Sequence, residues 1–150
     1  MSTPLQTKGQ LERKLSQHIQ SLYRQQFHQQ PAKITCELGN NNLTFILEDS
    51  ITQPEKTLVD QGQIQLAEEV RDNLGEAFKP ELKKSLETLL QVQVLDILSD
   101  AAISSGRTGI IVILSQTPAF RGSDHRAKQN GEPLPKNVSS ENLKEGSQAA

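Results

Sequence analysis

Any chemistry in this chain would have to come from few side chains. His18, His28, His125 and the single cysteine, Cys36, are the available nitrogen and sulfur ligands. No two stand at a metal-pair spacing such as H-x-x-x-H or C-x-x-C. The expectation is therefore no metal and no cofactor. Cys36 alternates with polar residues on the apolar side of Ile34 and Leu38, where a thiol serves as a small hydrophobe rather than a nucleophile. There is no G-x-S-x-G, and no Ser, His and Asp stand where spacing supports a triad. Gly106-Arg107-Thr108-Gly109 combines glycine, a guanidinium and a hydroxyl, as a phosphate loop would. It leads into an apolar strand pattern, so the helix N-terminus that would hold the anion is missing and a hairpin loop is the simpler reading. The carboxylate pairs are Glu48-Asp49 and Glu68-Glu69. Glu48 and Asp49 end a strand just before a helix start, where acids complement the helix N-terminus.

The elements that would position these residues follow from periodicity. Leu11, Leu15, Ile19, Leu22, Tyr23 and Phe27 recur at three- and four-residue steps and predict an amphipathic helix that stops before Pro31. Ile34, Cys36 and Leu38, then Leu43, Phe45 and Leu47, alternate around Gly39-Asn40-Asn41-Asn42 and predict a β-hairpin. Thr52-Gln53-Pro54-Glu55 reads as a capping box with proline in the first turn. The helix it starts should run through Leu58, Val59, Gly62, Leu66, Val70 and Leu74, with a kink or break near Pro80 before a second piece over residues 81–90. Residues 92–99 and 109–115 predict two more strands, joined by residues 100–108 as a second hairpin.

The fold class expected is α+β, in the order α-β-β-α-α-β-β. It is a two-layer sandwich, with a mostly antiparallel four-stranded sheet covered by helices. The near-continuous apolar strands at residues 92–98 and 110–114 should be central or covered on both faces. A homodimer would supply the second cover. The divisions expected are a flexible N-terminus at residues 1–8, the folded domain at 9–115 and a disordered tail at 116–150. From Gln116 onward Pro, Gly, Ser, Asn, Lys and Glu outnumber scattered apolar residues, too few to offset the entropy of ordering. Phe120-Arg121-Gly122 within it reads as plain linker rather than a docking motif.

Composition narrows the classes. The chain has 150 residues, 34% of them apolar, and a net charge of −2. One domain is expected. Charges of both signs are interleaved, giving no general attraction to nucleic acid or anionic membranes. No apolar run approaches the roughly 20 residues that cross a bilayer, so direct membrane insertion is not expected. The polar first ten residues lack a signal core, and one cysteine allows no internal disulfide; both point to the cytoplasm. The order α-β-β-α-α-β is also that of one KH type, but the corresponding linker, residues 74–80, holds one glycine and an acid instead of G-x-x-G. Nucleic-acid binding is thus the weaker alternative.

Several stretches in order carry a family resemblance: Phe45-Ile46-Leu47-Glu48-Asp49-Ser50-Ile51-Thr52, Glu55-Lys56-Thr57-Leu58-Val59, Glu69-Val70-Arg71, Phe78-Lys79-Pro80-Glu81-Leu82 and Asp96-Ile97-Leu98-Ser99-Asp100. Over residues 9–115 the chain resembles the MpsC-like family, long catalogued as a domain of unknown function. The resemblance implies an accessory or regulatory protein without catalysis. It would accompany a membrane transport subunit in sodium-translocating, membrane-potential-generating or inorganic-carbon uptake systems. No catalytic residues carry over. The matching polar positions, and hence the ligand or partner candidates, are Glu48, Asp49, Thr52, Arg71, Ser99 and Asp100. Relatives often follow the Ser-Asp pair with Asn or His and further acids, where this chain has Ala101-Ala102-Ile103. A second reading makes the protein a small-anion sensor or small enzyme using Asp49, Arg71 and Asp100, with Arg71 clamping an oxyanion such as bicarbonate. Against it stands the plainer view of Arg71 as a solvated helix residue paired with Glu68.

Overall fold

The computed structural model describes residues 5–122. Helix α1 (Lys8–Phe27) starts on a capping box: Thr7 Oγ1 accepts from the Gln10 N–H at 3.1 Å, and Gln10 Oε1 accepts from the Thr7 N–H at 2.9 Å. Its apolar stripe, Leu11, Leu15, Ile19 and Tyr23, is buried as the spacing predicts. It ends at His28, left-handed at φ 56°, ahead of Pro31. Strands β1 (Lys33–Leu38) and β2 (Asn42–Glu48) form the first hairpin, with Cys36 opposite Phe45. Strands β3 (Val94–Ala102) and β4 (Arg107–Leu114) form the second. The two hairpins join through β2 and β4, giving an antiparallel sheet in the order β1-β2-β4-β3. Expected fold class and observed architecture agree.

Between the hairpins lie α2 (Gln53–Asp60) and α3 (Ile64–Leu90). The division falls at Gly62 rather than Pro80. Gly62 adopts φ 80°, a region L-residues avoid, and the chain turns there. Pro80 sits inside α3 without breaking it. Phe78, Leu82 and Leu86 are buried on either side of it while Pro80 itself is exposed, so packing holds the helix across the missing hydrogen bond. Residues 74–80 are therefore continuous helix, and no loop stands where a KH-type grip would need one.

Helices α1 and α3 cover one face of the sheet, α1 over β1 and α3 over β3. The core between them holds Leu43, Phe45, Leu47, Ile110, Val112 and Leu114 from the strands and Leu15, Ile19, Leu82 and Leu86 from the helices. Tyr23, Phe27 and Phe78 meet at one end of it, ring centroids 4.6–5.7 Å apart. Strand β4 is central, as its composition predicts, but β3 is an edge strand. Its side chains Leu95 and Leu98 are 56% and 57% exposed, because nothing among the described residues covers the sheet's outer face. The second hairpin is also longer than expected, with only residues 103–106 left as its turn.

The packed chain extends beyond both expected limits. Gln6 accepts a bond from the Arg121 N–H at 2.7 Å, and Phe120 is buried in the core rather than part of a linker. The expectation of disorder for residues 123–150, and His125 with it, lies outside the described residues. No helix among the described residues is long and apolar enough to cross a membrane.

Candidate functional site

Thr52 ends the extended segment after β2 and caps α2. The first turn of α2 then aims Glu55 inward, where it is fully buried. The turn at Gly62 brings α3 alongside α2, and Arg71, 6% exposed, meets Glu55 from there. The pair is bidentate: Nε to Oε2 at 2.7 Å and Nη2 to Oε1 at 2.6 Å. Thr52 adds its N–H and its hydroxyl to Oε1, at 3.0 and 2.6 Å. Arg71 Nη2 also donates to the Ser50 carbonyl at 3.2 Å and the Tyr23 hydroxyl at 3.3 Å, and the Tyr23 hydroxyl donates to the same carbonyl.

Ser50 carries the network to the second hairpin. Its N–H and hydroxyl donate to the Gly106 carbonyl at 2.9 and 3.0 Å, and its hydroxyl shares a 2.6 Å bond with Thr108. Gly106 is left-handed at φ 78° and lies close to Asp49, so a tight turn reaches the β2–α2 junction. One buried polar cluster thereby fastens α1, α2, α3 and the β3–β4 turn at one end of the sheet. Such a pair gains little over an apolar substitute, yet losing one partner strands a buried charge.

The protonation states follow the geometry. Burial pushes the Glu55 carboxyl upward, but the bonds from Arg71 and Thr52 outweigh it and hold the carboxyl below its ordinary value. Burial likewise opposes the Arg71 charge, and Glu55 more than restores it. Burial raises Tyr23, so it stays a neutral donor. Cys36 is pushed up to about 12 by burial and by Glu12 and Glu37, which keeps it an unreactive thiol.

Beside this cluster, α3 and the β3–β4 hairpin flank a groove. One part, about 220 Å³, is lined by Arg71, Asp72, Gly75, Glu76, Ser99, Asp100, Ala101 and Thr108. The adjoining part, about 480 Å³, adds Val59, Ile64, Glu68 and residues 102–104. Arg71 forms the floor of both, with its charge met by Glu55. The carboxylates on the walls are Glu68, Asp72, Glu76 and Asp100, of which Glu76 pairs with Lys79 at 3.0 Å. An oxyanion would meet a guanidinium whose Nε and Nη2 are already committed, and carboxylates around it; a cationic group meets complementary charge. Among the described residues, no three His, Cys, Asp or Glu side chains are grouped to hold a metal ion.

The six candidates thus separate. Arg71, Ser99 and Asp100 line the groove, and Thr52 belongs to the buried cluster behind it. Glu48 and Asp49 do not join them: Glu48 pairs with Arg107 at 3.5 Å and Asp49 with Lys56 at 3.3 Å, on the surface. Arg71 is not the solvated residue paired with Glu68 that its helix position suggested, because the turn at Gly62 turns it toward Glu55. Glu55, Ser50 and Tyr23 are the members that residue patterns missed. A cap role already explains a glutamate at the position of Glu55, and its partner stands 16 residues away.

Residues 7–116 match the family model described as "Na+-translocating membrane potential-generating system (MpsC)". No match was found among curated proteins or among solved structures.

Proposed function

Since the chain belongs to the MpsC family, we propose that it is a non-enzymatic accessory or regulatory component of a sodium-translocating, membrane-potential-generating system. In this reading it works in the cytoplasm and binds a membrane transport subunit of that system. Sodium is the ion concerned; bicarbonate is the alternative, by the likeness to inorganic-carbon uptake systems. The observation that carries the proposal is the groove. Its floor charge is neutralised internally, its walls are acidic, and Val59 and Ile64 give it an apolar side. Cytoplasmic loops of membrane proteins are enriched in Lys and Arg next to apolar helix ends. A segment of that kind matches the groove in charge and in apolar character. The buried cluster supports the same reading, because Arg71, Glu55, Thr52 and Ser50 satisfy one another and hold the groove's walls together.

The test is affinity capture from detergent-solubilised native membranes. Wild-type protein should retain an integral subunit of the sodium-translocating system. The double charge reversal Glu68→Lys with Asp72→Lys should lose it while keeping its fold. Capture of no such subunit by the wild type would contradict the proposal.

A further inference from the structure

The sheet has a face that the helices leave bare. Alternation along β2, β4 and β3 sends Ile46, Ile111, Ile113 and Leu98 outward, and Ile46, Ile111 and Leu98 are 38%, 41% and 57% exposed. The registers set these side chains next to one another. Thr44 is opposite Ile111, Ile111 is opposite Leu98, and Ile46 lies over Gly109. A monomeric sheet with one wet face normally alternates apolar and polar residues. Strands β3 and β4 do not, and contiguous exposed apolar surface of this kind marks a contact site.

The charges on the same face are unevenly placed. Following the register across the sheet, Lys33, Glu48 and Arg107 share the row at one end. Glu37 lies toward the other end of β1, and Asp96, opposite Ile113, toward the other end of β3. Both cations of the face, Lys33 and Arg107, thus lie at one end, offset by Glu48 and by Asp100 one row further in, while Glu37 and Asp96 leave the other end net acidic.

We infer that this face is the interface of a homodimer, two copies stacking sheet on sheet about a two-fold axis that crosses the strands. That operation sets the end of one copy that carries Lys33 and Arg107 on the acidic end of the other. With the axis between the Gly109 and Ile111 rows, it buries Ile111 against the Ile46 side chain that lies over Gly109, turns Arg107 toward Asp96, and brings Lys33 to within one row of Glu37 of the second copy. A two-fold axis along the strands sets Arg107 over Glu48 of the second copy but brings Asp96 toward Glu37, like charge on like. Edge-to-edge pairing through β3 is opposed by the irregularity between Val94 and Asp96, and by Asp96 and Asp100, which would face each other across a pair centred on Leu98. Aligned stacking of two sheets is a standard packing, and an isologous contact closes without leaving a free copy of the surface.

Sedimentation and light scattering over a concentration series test the inference. Wild-type protein should be dimeric at high concentration. Ile111→Lys, and separately Leu98→Lys, should be monomeric with an unchanged circular dichroism spectrum. Lys33→Glu should weaken the dimer at least several-fold, and Lys33→Glu with Glu37→Lys should restore it, since the two residues are too far apart on one strand to pair within a copy. A wild type that is monomeric at every concentration would overturn the inference, as would lysine variants that stay dimeric, or a charge swap that fails to recover association. The groove lies on the helix side of the sheet, so loss of membrane-subunit capture and loss of dimerisation are separable outcomes.

Discussion

At the scale of residues, the molecule depends on a charge pair that is buried and fully engaged. Removing one member of such a pair costs about 3–5 kcal/mol. Glu55→Gln or Arg71→Met should therefore lower the unfolding free energy by about that amount in urea titration. Arg71→Met combined with Glu55→Leu should cost much less than the sum, because no charge is left unpaired. The same pair sets a pH dependence. Glu55 has a folded-state pKa below its ordinary value. Its contribution to stability is present above the unfolded-state value, about 4.3, and is lost as pH falls through the depressed folded value. Unfolding followed from pH 7 downward should show a loss of stability beginning near that unfolded value, and Glu55→Gln should remove this component. Cys36 makes the opposite case of a residue kept inert. Its thiol is buried and pushed up to about 12, so an aromatic disulfide reagent at mildly alkaline pH should label native protein slowly and denatured protein quickly.

The elements show what residue patterns can and cannot reveal. Helix α1 and both hairpins were legible, because each is a local periodicity bounded by its own turn chemistry. The division between α2 and α3 was not. Proline is a strong breaker in isolation, but Phe78, Leu82 and Leu86 hold α3 against the sheet through Pro80. Gly62 looked like a helix-face glycine, and its left-handed conformation is set by the packing of two helices. The two sites should respond in opposite directions. Pro80→Ala should stabilise by roughly 1–3 kcal/mol, since it restores a helix bond at an exposed position. Gly62→Ala should destabilise by about 1 kcal/mol: nothing lies within 4 Å of the added Cβ, so the cost is backbone strain alone. Thermal unfolding of the two variants checks both. The buried cluster escaped sequence reasoning for a related reason. Arg71 looked like a surface residue because Glu68 stood on its own helix, and only the turn at Gly62 shows that it faces Glu55. The edge position of β3 was equally hidden, since a strand apolar on both faces reads as central whether its second cover is a helix or a second copy.

At the scale of the whole molecule, the arrangement separates three roles. The buried cluster fastens α1, α2, α3 and the second hairpin at one end of the sheet. The groove beside it presents acidic walls. The outer sheet face, with Ile46, Ile111 and Leu98 exposed, is the surface of the inferred dimer. The central claim is that the groove is where this MpsC-family chain meets its membrane subunit. The most direct measurement is binding of the purified chain to proteoliposomes carrying that subunit, titrated at low and at physiological salt. The account predicts saturable binding that weakens as salt rises, because exposed charges are screened. It predicts loss with Glu68→Lys and Asp72→Lys, and retention with Lys33→Glu on the opposite face. Binding that is indifferent to salt and to the groove reversal, or no binding to the subunit at all, would contradict it.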